Sequence, residues 1–350
     1  MAEITLAKKA GFCFGVNRAI NIIEELVEKG ERVATLGPII HNQQVIDDLS
    51  KKGVIVVDEP SQVPEGTTLV LRTHGVPQEV LKEVEKCGCN YIDAACPFVK
   101  KIHKIVLDNS SENTVTLIAG DENHPEVKGI KSCAKGEAFV INSEEKLTEL
   151  FQQYPDLPQK PIIFVSQTTF SVKEWEKSLK KVNLLCTNAK IFDTICSATS
   201  TRQQEARELA QSNDVMVVIG GRHSSNTVKL YDVCVALCQN THLIETAAEL
   251  KPEWFLTANK VGVVAGASTP AGIIKEVIKT MSENLQPVEE QMEVKESVQK
   301  SFEEMTDEEA FEASLSSLTG DQKVCGTVIA VNPTEITVDI GRGVTGYVTA

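Results

Sequence analysis

The chain has 350 residues, 42% of them hydrophobic, and a formal net charge of −14. A length of this order implies roughly two to four domains, and no apolar run approaches the roughly 20 residues of a membrane span. The opening MAEITLAKKAGF lacks the apolar stretch of a signal peptide, so the sequence reads as cytoplasmic with no membrane partner. The acidic balance excludes nucleic-acid binding driven by net charge, and ten cysteines in such a chain argue for thiol or metal chemistry over a disulfide framework.

From the amino terminus, ITLAKKAGF leads into Cys13, after which Val16, Ala19, Ile20, Ile23, Leu26 and Val27 recur at helical spacing. Short apolar runs then alternate with helical patterns: ERVATLG, TTLVLRT, TVTLIAG, PIIFVSQ, NDVMVVIGG and NKVGVVAGA. This βαβ rhythm predicts parallel sheets covered on both faces. Most runs end in a polar turn (GPIIHN, THGVP, GDENHPE, SQTT, GGRHSSNT, GASTPAG), where the ligands of open α/β sheets bind.

Two further cysteines fall in the same kind of place as Cys13. Cys96 sits in YIDAACPFVKKIHKIV, with Pro97 suited to a first helical turn, and Cys196 sits in IFDTICSATSTRQQEARELA. The two share an apolar-apolar-Asp lead-in, so one three-thiolate site built from three repeated units is the economical reading. The repeat extends to VTLIAGDENHPEV, VMVVIGGRHSSNTVKL and VGVVAGASTPAGIIKEV, each reading as strand, glycine turn, polar cluster and helix. The expected fold is three α/β lobes with parallel sheets in pseudo-threefold arrangement around a central cluster cavity. The lobes fall near residues 14–96, 97–196 and 197–281, with the first strand packing back onto the last lobe.

Residues 281–320 carry eleven acids against Lys295 and Lys300, which reads as an acidic linker over 282–320. From Lys323, KVCGTVIAVNPTEITVDIGRGVTGYVTA alternates apolar and polar residues and predicts three short strands, too few to close a barrel.

A thiolate at a helix amino terminus is stabilised by the helix dipole. Three of them suit a four-iron cluster whose fourth iron lacks a protein ligand and can act as a Lewis acid. His41, His74, His124, Ser224, Ser225, Asn226 and Ser268 lie in the polar turns and together make a phosphate site without a Walker loop. Glu126 follows His124 by two residues, so in an extended turn both would point one way; beside a diphosphate its pKa would rise and it could deliver protons. Thr168 can orient that acid or relay a proton. Standing alone, each would read as an ordinary surface or packing residue; their placement after successive strands is what singles them out. His103, His223, His242 and the other seven cysteines read as structural or solvated, and no G-x-G-x-x-G follows a strand, so reducing electrons must come from another protein.

The motifs GFCFGVNRAI, GPIIHN, THGVP, DAACPFVKK, DENHPEV, SQTT, DTICSATSTRQ, SSNT and GASTPAG resemble, in order over about residues 1–280, those of the 4-hydroxy-3-methylbut-2-enyl diphosphate reductase family. The resemblance implies that Cys13, Cys96 and Cys196 hold one oxygen-sensitive 4Fe-4S cluster. It implies that His41, His74, His124, Thr168, Ser224, Ser225, Asn226 and Ser268 bind the isoprenoid diphosphate substrate. Glu126, Thr168 and His124 would be the catalytic set. The family removes an allylic hydroxyl reductively to give isopentenyl and dimethylallyl diphosphates, the last step of the non-mevalonate route, with electrons from a ferredoxin or flavodoxin. The tail resembles the start of the OB-fold RNA-binding domain repeated in a ribosomal protein. That divides the chain into a reductase domain at 1–281, the linker, and a truncated OB-fold at 321–350, whose complete form would have RNA or the ribosome as partner. The alternative is a translation-linked RNA-binding protein with a redox-sensing cluster domain.

Overall fold

The computed structural model describes residues 2–284 and three strands near the carboxyl terminus. The acidic linker expected over 282–320 lies outside the described residues from 285 onward. The chain divides into two compact units, one of Met1–Phe14 with Thr201–Lys323 and one of Gly15–Ser200 with Val324–Ala350.

The second unit contains two parallel four-stranded sheets. The first is built from β2 (Arg32–Leu36), β3 (Ile55–Val57), β4 (Thr67–Leu71) and β5 (Tyr91–Asp93) in the order β3-β2-β4-β5. The next repeats that order with β6 (Val115–Ala119), β7 (Ala138–Ile141), β8 (Ile162–Ser166) and β9 (Ala189–Ile191) as β7-β6-β8-β9. Both central strands of this sheet, β6 and β8, are buried along their whole length. Their continuous apolar runs are what a sheet covered on both faces requires. One face packs Leu117, Phe164 and Trp175; the other packs Ile102, Ile118, Ile130 and Val165.

The first unit holds a third sheet of the same order, with one difference. It runs β11-β10-β12-β1, using β10 (Val215–Ile219), β11 (Thr241–Ile244), β12 (Lys260–Ala265) and, as the fourth strand, β1 (Glu3–Leu6). Glu3 pairs with Lys260 and Leu6 with Val263, all parallel, so the first strand does return to the last lobe. The chain therefore builds each lobe on one plan and supplies the missing strand of the last from its own start.

Each fourth strand feeds a helix: β1 leads to α1 (Phe14–Glu28), β5 to α4 (Pro97–Asn109) and β9 to α8 (Ser197–Ser212). Each first strand also feeds one: α2 (Gln43–Lys51), α5 (Pro125–Ser132) and α9 (Ser225–Val235). The helices α3 (Gln78–Cys87), α6 (Glu144–Gln153) and α7 (Val172–Leu185) complete the crossovers, and α10 (Ala271–Asn284) follows β12. In the tail, β13 (Thr327–Val331), β14 (Glu335–Asp339) and β15 (Thr345–Thr349) pair as an antiparallel meander, the three strands the alternation predicts.

Candidate functional site

One set of backbone bonds recurs in all three lobes. The residue after each first strand is a glycine, and its N–H donates to the neighbouring strand: Gly37 to Val57, Gly120 to Ile141 and Gly220 to Ile244, at 2.7, 2.8 and 2.9 Å. Four residues beyond these glycines stand His41, His124 and Ser224. The cysteines have an equally regular setting. Cys96 N–H donates to Thr73 O, Cys196 N–H to Thr168 O and Cys13 N–H to Ala267 O, at 3.0, 3.0 and 3.1 Å. In each case the acceptor lies two residues beyond the third strand. The fold thus pins each of these three cysteines, at the start of a helix, to the polar turn of the strand beside it.

In the second unit, Cys96 is the N-cap residue of α4 and Pro97 fills the first helical position. Cys196 plays the same part for α8, its carbonyl accepting from Thr199 and Ser200. A Cβ built on Gly15, in α1, would lie 2.6 Å from Cys96 Sγ, so only a glycine leaves room beside that sulfur. The thiols of Cys13, Cys96 and Cys196 are half-buried. By contrast, Cys133, Cys234 and Cys238 are buried, and burial pushes the Cys234 thiol up to about 12. Those three are packing residues, as is Cys186, pushed up to about 11 by burial. The described cysteines are all thiols.

The same unit gathers three imidazoles from three turns. His41 and His74 have ring centroids 4.6 Å apart, His74 and His124 5.2 Å, and His41 and His124 5.6 Å. Burial, then the neighbouring rings, holds His74 well below the usual histidine value. His124 is lowered to about 4, by burial first and then by His41, with Asp121 opposing and Arg72 adding. The His74 and His124 rings are neutral at neutral pH. Their ligand atoms lie within 4.8 Å of one another, a spacing a metal ion could exploit. His124 argues otherwise. It caps α5, its Nδ1 accepting from the Glu126 backbone N–H at 3.2 Å, which places its own proton on Nε2. An Nε2–H donates to an anionic oxygen and cannot ligate a cation.

Glu126 departs from the sequence expectation. The segment from Pro125 is helical, not extended, so Glu126 sits in the first turn of α5 and its side chain reaches the turn after β8. There its carboxylate accepts from Thr168 N–H at 2.6 Å and from Thr168 Oγ1 at 2.7 Å. Burial raises the Glu126 pKa to about 7, against the lowering effect of both Thr168 bonds. A buried acid half-protonated at neutral pH is suited to give or take a proton.

In the first unit, Ser224 caps α9, accepting from Thr227 N–H at 3.4 Å, and Ser268 Oγ donates to Ser224 Oγ at 3.3 Å. Asn226 is buried, and neither its side-chain oxygen nor its nitrogen has a hydrogen-bond partner. Buried amides are rarely left so; a polar ligand would satisfy it. Ser225 begins the same helix. Ahead of Cys13, Arg202 Nη2 donates to Gly11 O at 2.8 Å and steadies that turn.

Several residues here escape the sequence reading. Gln167 Oε1 accepts from Asp121 N–H at 3.1 Å and its Nε2 donates to Thr169 Oγ1 at 2.8 Å, joining two turns. Its place in SQTT was the available signal. Arg72, just ahead of THGVP, offers none, since a lone Arg at a strand end is commonplace. His103 is wedged between the His74 turn and α5: Cβ atoms on Gly75 and Gly129 would each come within 2.9 Å of its ring. His223 is exposed, and His242 stacks on Trp254 with centroids 3.8 Å apart, so both stay outside the site.

Comparison with known proteins follows the same outline. The family model described as LytB protein matches residues 4–282. The 4-hydroxy-3-methylbut-2-enyl diphosphate reductase of Geobacter metallireducens is 46% identical over 285 residues, covering 80% of this chain and 97% of that protein. The Aquifex aeolicus protein of the same name is 39% identical, covering 81% and 97%. Among solved structures, the corresponding reductase of Plasmodium falciparum aligns with a TM-score of 0.74 at 28% identity, covering 82% of this chain and 89% of that one. A second reductase structure aligns at 0.58 with 38% identity, covering 81% and 100%.

Proposed function

This chain belongs to the LytB family, and from that membership together with the site we infer that it reduces 4-hydroxy-3-methylbut-2-enyl diphosphate to isopentenyl and dimethylallyl diphosphates. It is an oxidoreductase of the non-mevalonate isoprenoid route. In the overall change a C–O bond breaks, two electrons and two protons enter, the hydroxyl leaves as water and a proton is placed on carbon. The observation that carries the chemistry is the buried Glu126 acid, at about 7, held by Thr168 beside neutral histidines.

The family is one of iron–sulfur enzymes. For this chain we assign one 4Fe-4S cluster to Cys13, Cys96 and Cys196, three helix-start thiols in equivalent settings, with Gly15 clearing space at Cys96 Sγ. When bound, the cluster supplies the electrons and a Lewis-acidic iron. The protein's own residues supply the rest. His124 Nε2–H and the His41 and His74 rings meet the diphosphate, the His74 and His124 rings uncharged. Ser224, Ser225, Asn226 and Ser268 add hydroxyl and amide donors, and the unsatisfied Asn226 amide supports that role. Glu126 holds the proton that the leaving hydroxyl takes up, and Thr168 Oγ1 keeps its carboxyl in place.

Ferredoxin or flavodoxin as donor and a cytoplasmic setting complete the reading; among the described residues no helix is long and apolar enough to cross a membrane. We assign residues 1–281 to the reductase, in lobes of about 14–96, 97–196 and 197–281. Residues 282–320 form the linker and 321–350 the start of an OB-fold, whose complete form would meet RNA or the ribosome. The translation-linked alternative has no observation in its favour. Anaerobic assay of iron-loaded protein with the hydroxylated diphosphate and a reduced viologen tests the function: both isoprenoid diphosphates should appear, and a cluster-loaded sample giving neither would end this reading.

A further inference from the structure

Neutral histidines leave a question of charge. A diphosphate carries two to three negative charges near neutral pH, and the neutral His74 and His124 rings bring none to offset them. Among the described residues, Arg72 is the permanent cation whose charge reaches both His74 and His124. Its guanidinium lies between the two turns that present His41 and His74. Nε donates to Gly75 O at 3.3 Å, next to His74. A Cβ on Gly37, four residues before His41, would lie 3.2 Å from Nη1. Both glycines have positive φ, 67° and 72°, so the turns are shaped where the guanidinium passes. No carboxylate among the described residues forms an ion pair with Arg72, although it is half-buried. Partly buried guanidinium groups are ordinarily neutralised, because an uncompensated charge away from water is costly.

We propose that Arg72 is a binding residue of this site, the fixed positive charge that draws a diphosphate onto the His41–His74–His124 cluster while tying together the turns that carry His41 and His74. The donor geometry fits. With Nε committed to Gly75 O, the terminal nitrogens remain to attract an anion, and a guanidinium keeps its charge at every working pH. The charge acts on the ligand in ground and transition states alike, so it governs affinity more than the chemical step. Asp121, near His124, opposes part of this field.

The inference rests on the diphosphate-reductase reading, and the test separates the two. Inorganic pyrophosphate is titrated calorimetrically into the anaerobic, cluster-loaded full chain at low and high salt, and substrate kinetics are measured in parallel. Wild type should lose pyrophosphate affinity as salt rises. Arg72→Gln should weaken pyrophosphate binding and raise KM about tenfold, flatten the salt dependence, and leave kcat within about threefold. Arg72→Lys, which keeps the charge, should recover part of the affinity even if the Gln variant folds poorly. Salt-independent binding by wild type overturns the proposal. So does an Arg72→Gln variant with unchanged pyrophosphate affinity, or one that loses kcat alone. Wild type that binds pyrophosphate yet turns over no substrate would instead remove the reductase reading and leave Arg72 its role.

Discussion

Glu126 is an acid kept where most carboxyl groups are fully ionised, because burial outweighs two hydrogen bonds from Thr168 that favour the anion. The proton-donating form prevails below about 7, so kcat should fall as pH rises through that value. Glu126→Gln should abolish most turnover while sparing the cluster, and near-normal rates would remove Glu126 as proton source. Stability carries the same signature with the sign fixed by linkage. A carboxyl whose folded pKa is raised stabilises below its unfolded value and loses that contribution as pH rises to about 7. Relative to wild type, Glu126→Gln should therefore gain stability between pH 5 and 8, by up to about 3 kcal/mol at 1.36 kcal/mol per unit; melting curves at both pH values check it. The partnership of Glu126 with Thr168 was legible because each follows a strand in a polar turn. The direction of the Glu126 side chain was not: Pro125 is a helix-start signal, but an extended turn was read through it, and only the helix makes His124 the cap and turns Glu126 towards Thr168.

Helices and strands of the three lobes differ in how plainly they announce themselves. The six central strands appear as apolar runs because both faces are covered. Edge strands such as β3, β5 and β9 span three residues each and are partly exposed, so their patterns are too short and too mixed to stand out. The cysteine rule, a thiol after each fourth strand, was accordingly visible as a repeat of motifs and not as topology. Gly15 shows what such an element tolerates. Alanine is favoured over glycine inside a helix by about 1 kcal/mol, yet here its methyl would press on Cys96 Sγ. Gly15→Ala should lower the melting temperature of the metal-free protein, because the clash outweighs the helix gain, and iron content after anaerobic reconstitution should fall by at least half. Unchanged iron would mean the sulfur needs no such clearance.

Across the molecule, charge and similarity change at the same point. The family match ends at residue 282, and the eleven acids of 281–320 begin there. Relatives matched over 97% of their own length do without the remainder, so a chain cut after residue 284 should keep full turnover with reduced viologen. A large loss would give the tail a part in the catalytic body. The tail's three strands were readable from alternation alone. The return of β1 to β12 has a further consequence, for the order of assembly on the ribosome. Glu3 meets Lys260, and the bond that seats Cys13 waits for Ala267. A nascent chain can finish the two middle lobes early, but its amino-terminal thiol stays uncommitted until nearly the whole catalytic body has emerged. If Cys13 is a cluster ligand, as proposed, iron loading is deferred to the end of synthesis, and a half-made polypeptide lacks one sulfur of the set.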